Sequence, residues 1–360
     1  MYYSNARLFC HEKKTYTVNP VTDQAAQPVP TLFGQFARRF IPLRDCTEKY
    51  ERDRFNLNDT VNPMEKMFSE SARPPILLIH GGAGSLETDP ELREKRRAYV
   101  TDLVEWAWPE ICRGQSAVDA VTEIVKRLEK SALFNAGYGS ALQSDGLARL
   151  SASLMDGERL KFSGVMLATH MIHPIELARA LQSRTESVLG PLGAQLLARE
   201  LGMAPQNPVP PERARRWAEY LEQQTGTSSG TGTVGAVVLD KLGRLAAATS
   251  TGGGRFNFPE RVSDSATVAG NYASGHAAVS CTGVGEQIVD DGVAVRLETR
   301  VRDGRSIVEA SELTYREAVN RNREYGWIAV DRNAAWSMCR TTEAMLCAAM
   351  SGDRQGPVLG

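Results

Sequence analysis

The chain has 360 residues, 42% of them hydrophobic, enough for one large core or two modest ones. Lys and Arg number 42 against 43 Asp and Glu, a formal net charge of -1, which excludes the dense basic surface that nucleic-acid or membrane-surface partners require. The six cysteines form no CxxC pair and no HExxH occurs, which speaks against zinc and places the chain in a reducing compartment.

The first 16 residues, MYYSNARLFCHEKKTY, lack the apolar core of a signal peptide, and no apolar run is long enough to span a bilayer. A soluble, cytoplasmic protein is expected. Residues 1–70 are polar, with Pro20, Pro28, Pro30, Pro42 and Pro63, and read as an arm in which Phe33 to Phe40 offers a short amphipathic face. A strand is predicted at Ile76 to Ile79, ending in His80-Gly81-Gly82-Ala83-Gly84. Helices follow near Pro90 to Trp106 and from Ser116 to Lys130, the second with apolar residues at helical spacing and Ser116 as its cap. Strands at 147–154 and 163–168 and a helix from His173 to Gln182 come next.

The stretch from about 203 to 232 changes character. It opens proline-rich (Pro205, Pro208, Pro210, Pro211), passes through a short charged helix and ends in small residues, which predicts a mobile linker. Strands are expected at Thr233 to Asp240 and Leu245 to Ser250, joined as a hairpin by Lys241-Leu242-Gly243. Further strands are predicted at 266–270 and 277–282, helices near 284–298 and 305–323, and strands at Trp327 to Val330 and Ala334 to Trp336. Blocks of strands and helices without regular alternation fit an α+β arrangement of two sheets between helical layers. The chain divides into 1–70, 71–232 and 233–360.

The chemistry concentrates where Gly232 meets Thr233. A small-residue linker runs directly into a strand whose first residue carries a hydroxyl. If the peptide bond before Thr233 breaks, Thr233 gains an α-amine, which titrates near ~7.7–8.0 when unperturbed and can take the hydroxyl proton. The scission itself is plausible as attack of the Thr233 hydroxyl on the Gly232 carbonyl. Taken alone, the pair reads more simply as a β-branched residue opening a strand.

Its surroundings change that reading. Gly232-Thr233-Val234-Gly235-Ala236-Val237, followed by Ala248-Thr249-Ser250-Thr251-Gly252-Gly253, resembles the plant-type asparaginase and isoaspartyl peptidase family. Ser280-Cys281-Thr282-Gly283-Val284-Gly285-Glu286 is similar to a second signature of that family. Ile79 to Gly84 and Leu133-Phe134-Asn135-Ala136-Gly137 are similar to its amino-terminal motifs. The motifs occur in the family's order and cover roughly residues 75 to 340.

The resemblance implies a four-layer αββα sandwich of the N-terminal-nucleophile type, autocatalytic cleavage into two subunits at Gly232-Thr233, and an (αβ)2 assembly. It implies Thr233 as nucleophile and Thr251 as the partner of its hydroxyl. Thr282 hydroxyl and Gly283 N–H would form the oxyanion hole. Arg261 would clamp a substrate α-carboxylate, and Asp264, helped by the region of Gly285, would hold the α-ammonium. Asn135 would position the scissile peptide, and Gly82 is expected near the same cavity, among the substrate-binding residues. Residues 128–138 resemble the family's sodium loop, which implies a structural sodium ion on the carbonyls of Leu128, Glu129, Ser131, Phe134, Ala136 and Tyr138. No cofactor is needed for the chemistry. None of the five histidines shows metal spacing, and His80 is expected to tie down its loop.

The sequence departs from the family at Ser263, Val284 and Ser151, and in the aromatic loop 254–260, which is expected to line the pocket. Gly226 to Gly230 matches the GxSxG of serine hydrolases, but a charged helix precedes Ser228 and a strand follows it, the reverse of a nucleophile elbow. The expected activity is hydrolysis of β-aspartyl (isoaspartyl) dipeptides and L-asparagine, releasing L-aspartate. A glycosylasparaginase, a taspase-like protease and a non-maturing binding relative are the alternatives.

Overall fold

The computed structural model describes residues 66–223, 232–353 and 356–360. The expectations for Phe33 to Phe40, for Ser228 and for the small-residue end of the linker lie outside the described residues. In chain order the elements are β1 (Met67–Ser71), β2 (Ile76–Gly84), α1 (Pro90–Arg113), α2 (Ala117–Lys130), β3 (Leu150–Asp156), β4 (Lys161–Ala168), α3 (Pro174–Leu181), β5 (Val188–Leu189), α4 (Pro191–Glu200) and α5 (Pro211–Gln223). Then come β6 (Val234–Leu239), β7 (Leu245–Thr251), β8 (Asn271–Ala273), β9 (Ala277–Gly283), α6 (Gly285–Asp291), α7 (Val293–Arg302), α8 (Ile307–Asn320), β10 (Tyr325–Asp331), β11 (Ala335–Arg340), β12 (Ala344–Ser351) and β13 (Val358–Leu359).

The strands form two sheets among the described residues. One has the order β1-β11-β10-β9-β8, the other β13-β12-β2-β6-β7-β3-β4-β5. Pairing is antiparallel throughout except where β4 meets β5. Successive side chains of a strand point to opposite faces, and that alternation sorts the core. From β2 and β6, Leu77, Ile79, Val234, Ala236 and Val238 pack against Val121, Ile124, Val125 and Leu128 of α2 and Val100, Val104 and Ile111 of α1. Their neighbours Ile76, Leu78, Val237 and Leu239 face Ile328 and Val330 of β10 and Trp336 and Met338 of β11. On the far side of the smaller sheet, Val279, Cys281 and Trp327 meet Val293 and Leu297 of α7 and Ile307 and Ala310 of α8. The two sheets thus lie face to face with helices on their outer faces. No helix among the described residues is long and apolar enough to cross a membrane.

Several elements differ from the sequence reading. Strand β2 continues through His80 to Gly84 instead of stopping at Ile79, and β1 already pairs with β11 inside the stretch assigned to the arm. The strand expected at 266–270 is instead a 3-10 turn at Asp264–Ala266, with β8 starting only at Asn271. Local hydroxyls favour that turn: Ser263 Oγ accepts from Ser265 N at 3.3 Å, and Thr267 Oγ1 donates to Asp264 O at 2.7 Å. The helix expected over 284–298 breaks at Gly292, whose φ of 56° ends α6 and starts α7.

Helix α8 begins in a capping box, with Ser306 Oγ accepting from Glu309 N and the Glu309 carboxylate accepting from Ser306 N. Ser306→Ala should cost about 1 kcal/mol, lowering Tm by roughly 2–4 °C while leaving the functional site intact. An unchanged Tm would show that the box contributes nothing.

Candidate active site

The hairpin β6–β7 and strand β9 of the opposite sheet end side by side. Val234 pairs with Ser250, so Thr233, just before β6, lies beside Thr251 at the end of β7. Thr233 Oγ1 donates to Thr251 Oγ1 at 3.3 Å, and Thr251 Oγ1 also accepts from Gly253 N at 3.0 Å. Thr282, near the end of β9, reaches across from the smaller sheet. Its hydroxyl accepts from Ala83 N at 3.1 Å and donates to the Thr233 carbonyl at 3.4 Å. All three threonines are buried.

The Thr233 carbonyl has a second partner, His80 Nδ1 at 3.1 Å, while His80 Nε2 lies 2.8 Å from Ser280 Oγ. A carbonyl can only accept, so Nδ1 carries the proton. Complete burial holds the imidazole neutral, its pKa lowered to about 3. Nε2 must then accept from Ser280, and Thr249 donates to Ser280 Oγ at 2.7 Å. The expected tying role of His80 is thus exerted on the backbone of Thr233, and no titration near neutral pH belongs to this histidine.

Gly232 fits its place only because it and its neighbour lack side chains. Its φ is +126° and that of Gly82 is +119°, values L side chains rarely adopt. A Cβ on Gly82 would stand 2.6 Å from the Gly232 α-carbon, and one on Gly232 would stand 2.9 Å from Asn135 Cβ. Asn135 is held in turn: its Nδ2 donates to Gly253 O at 2.5 Å, its Oδ1 accepts from Ala141 N at 2.7 Å, and its carbonyl accepts from Gly252 N at 2.9 Å.

A cavity of about 570 Å³ opens beside Thr233. Asn135, Gly232, Thr233, Thr251, Arg261, Asp264, Gly283 and Gly285 all line it, so most of the residues singled out in the sequence converge. Ser263, Val284, Gly254 and Asn257 also line it, so two departures and part of the 254–260 loop face the pocket. The third departure, Ser151, lies at the start of β3, where its hydroxyl accepts from Leu167 N at 3.1 Å. Gly82 is placed differently from the expectation: it touches Gly232 but lines a neighbouring cavity.

Charge in the cavity is arranged around Gly285, where a Cβ would meet both Arg261 NH2 at 2.6 Å and Asp264 Oδ1 at 2.8 Å. Asp264 is buried; burial raises its carboxyl to about pKa 7 although Ser263 and Arg261 pull the other way. Its Oδ2 has no hydrogen-bond partner among the described residues. Arg261 makes a bidentate pair with Glu286, both bonds 2.6 Å, and Glu286 is held below the usual carboxylate range by that contact. Glu286 stood in a quoted motif without a role. Glu324, Thr342 and Glu343 also line the cavity and were missed, because loops far apart in the chain bring them there.

The loop compared with a sodium site offers neutral oxygens. The Phe134 carbonyl occupies the place a Cβ at Gly139 would need, and the Ala132 and Ser131 carbonyls lie 3.1 and 3.2 Å from it. The Leu128 and Glu129 carbonyls already accept from Ser131 N and Tyr138 N, which leaves each one lone pair. The Ser131 and Phe134 carbonyls, both close to Gly139, are neutral oxygens of the kind a hard cation takes. No group of three or more His, Cys, Asp or Glu able to hold a metal gathers among the described residues.

The sequence profile of the family described as Asparaginase matches residues 73–359. The isoaspartyl peptidase/L-asparaginase of Synechocystis sp. is 39% identical over 298 residues, covering 79% of this chain and 90% of that protein. The isoaspartyl peptidase of Salmonella typhimurium is 37% identical over 292 residues, 75% and 93% of the two chains. The plant-type L-asparaginase of Pyrobaculum calidifontis is 36% identical over 283 residues, 75% and 94%.

Gly235 faces the pinning histidine, and a methyl group there would collide with Ser280 Oγ and His80 Nε2. Gly235→Ala should cost about 2–4 kcal/mol by overpacking and broken hydrogen bonds, read as a lower urea midpoint. An unchanged midpoint would mean that this contact does not hold Thr233 in place.

Proposed function

The chain belongs to the asparaginase family, and on that premise we propose that it is a threonine amidohydrolase that cuts itself between Gly232 and Thr233 and then releases L-aspartate from β-aspartyl (isoaspartyl) dipeptides and L-asparagine. The observation that carries the reading is the Thr233 hydroxyl held 3.3 Å from that of Thr251 in a cavity also lined by Arg261 and Asp264. The relatives, an isoaspartyl peptidase/L-asparaginase, an isoaspartyl peptidase and a plant-type L-asparaginase, support the substrate class. The face-to-face sheets with helices on both outer faces support the reading of a four-layer αββα sandwich of the N-terminal-nucleophile type, which would mature into two subunits and assemble as (αβ)2.

In maturation, Thr233 Oγ attacks the Gly232 carbonyl carbon and the acyl group moves from nitrogen to oxygen. Water then hydrolyses the ester, leaving a carboxylate on Gly232 and an α-amine on Thr233. The glycine-only contacts of Gly82 and Gly232 and the grip of Asn135 hold that peptide in a conformation most residues would not adopt. In turnover, the α-amine takes the hydroxyl proton and Thr233 Oγ attacks the side-chain amide carbonyl of the substrate. Gly283 N–H and the Thr282 hydroxyl, once it turns from the Thr233 carbonyl to the substrate, stabilise the oxyanion. The leaving amine departs with the proton, and water attacks the remaining ester to free aspartate.

Arg261 would exchange Glu286 for the substrate α-carboxylate, since a fork that already binds one carboxylate bidentately suits another. Asp264, whose carboxylate lines the cavity beside Gly285, would take the α-ammonium. A sodium ion on the carbonyls of Leu128, Glu129, Ser131, Phe134, Ala136 and Tyr138 would brace the loop that carries Asn135.

The test is aspartate release from β-aspartyl-leucine, L-asparagine and an N-glycosylated asparagine. Turnover of the first two is expected; fully processed protein that cleaves only the glycosylated substrate, or none, would overturn the reading. Asp264→Asn should raise KM at least about 30-fold, the cost of removing one partner of a buried charge pair. In the wild type, KM should climb as pH falls below about 7, because the carboxyl must ionise to bind an ammonium. Its pKa is raised above the usual 3.8, so the fold loses stability as pH rises from about 4 to about 7. Asp264→Asn should accordingly be the more heat-stable protein at pH 8. A pH-independent KM, or a less stable variant, would contradict this assignment.

A further inference from the structure

A second cavity, of about 270 Å³, lies on the other side of Gly232. It shares Ala83, Gly84, Ser85, Asn135 and Gly232 with the first, so Gly232 is part of the wall between them. Its lining is strongly cationic among the described residues: Arg93, Arg96, Arg97, Arg213 and Arg255 face it, with Glu87 the one acidic side chain of that set. Glu87 is engaged by Arg96 at 2.7 Å. Arg213 Nε donates to the Gly139 carbonyl at 2.9 Å, and Arg255 has no hydrogen-bond or ion-pair partner among the described residues. The chain's Gly360 also lines the cavity, and a terminal carboxylate there would still leave arginines in excess. Residues 224–231, which join α5 to Gly232, contain no acidic side chain and bring no counter-charge.

Crowded cations are costly unless an anion joins them. Arg213 shows it: burial first, then repulsion from Arg255, Arg216 and Arg96, lowers its pKa to about 10. Arg96 and Arg255 are depressed as well, burial again the largest cause. Planar guanidinium forks in such a place match a carboxylate.

We propose that the arginine-lined cavity is a carboxylate site that becomes continuous with the active site once the chain is cut before Thr233 and Gly232 withdraws. This inference rests on the threonine-hydrolase reading, which supplies a carboxylate in two ways. One is the α-carboxylate of the amino acid leaving a β-aspartyl dipeptide; the other is the new end created on Gly232 by maturation. The first makes Arg255 and Arg213 specificity determinants: dipeptides, whose leaving half carries a carboxylate, are preferred over L-asparagine, whose leaving group is ammonia.

Arg255→Gln is the variant to use, because Arg255 supports no neighbour by a hydrogen bond, whereas Arg213 holds a loop carbonyl. Kinetics with β-aspartyl-leucine, β-aspartyl-leucinamide and L-asparagine separate the leaving carboxylate from bulk. The expected result is a KM for β-aspartyl-leucine raised at least about tenfold, the loss of one charge-assisted hydrogen bond, with the amide and L-asparagine unchanged. Unchanged L-asparagine turnover also reports that the variant is folded. A second arm treats the cut proteins with carboxypeptidase and follows trimming at Gly232 by mass. Protection in the wild type and trimming in Arg255→Gln, with equal KM values, would assign the site to the Gly232 carboxylate. Equal kinetics and equal trimming would overturn the proposal. Failure of both cut proteins to turn over any substrate would instead overturn the hydrolase reading, while the carboxypeptidase arm would still test the carboxylate site.

Discussion

The backbone at Gly232 and Thr233 is the point on which the rest of the site depends. His80 and Thr282, from opposite sheets, both bond the Thr233 carbonyl, so the residue is pinned by its main chain while its hydroxyl stays directed at Thr251. The pin is possible because a neutral imidazole, kept so by burial, can present an N–H in a place where an imidazolium would be strongly disfavoured. Behind it, Ser280 and Thr249 complete a proton arrangement that leaves no donor of the chain idle. The packing that surrounds it is the alternation of β2 and β6: one face feeds the helix-covered core, the other the core between the sheets. A one-residue slip of β6 would move Thr233 and exchange those two faces at once.

The same crowding explains how charge is handled. Asp264 lies buried with one oxygen unpartnered, and its raised pKa measures what the empty site loses by keeping a carboxylate there. On the proposed reading an incoming ammonium would remove that loss, and part of the affinity would come from relieving it. Arg261 is in the opposite condition, already paired with Glu286 through both arms of its fork. Glu286 is largely exposed, so its replacement by another carboxylate, as proposed, would return it to water at little expense. Glycine at 285 leaves the room for both groups to approach.

Much of the site's composition is legible in the sequence. The threonines at 233, 251 and 282 stand at strand ends in ordered motifs, and strand ends at one edge of two facing sheets meet. Thr233 itself was legible as the first residue after a run of small side chains. Other parts left no local trace. Glu324, Thr342 and Glu343 reach the cavity through the closure of the two sheets, and nothing in their neighbourhoods marks them. Strand β12 reads as an apolar run without alternation, because both its faces are largely buried. The break at Gly292 and the turn at Asp264 were misread for a common reason: a single backbone preference, or a local hydroxyl bond, overrode an apolar pattern that suited a longer element. The arginines of the second cavity come from α1, α5 and the loop after β7, a grouping no spacing rule can detect.

The most direct test of the central claim is the intact mass of the denatured protein, with and without Thr233→Ala. The account predicts two fragments from the wild type, ending at Gly232 and beginning at Thr233, and one full-length chain from the variant. A full-length wild-type chain that nevertheless turns over substrate, or a variant cut at the same bond, would contradict it.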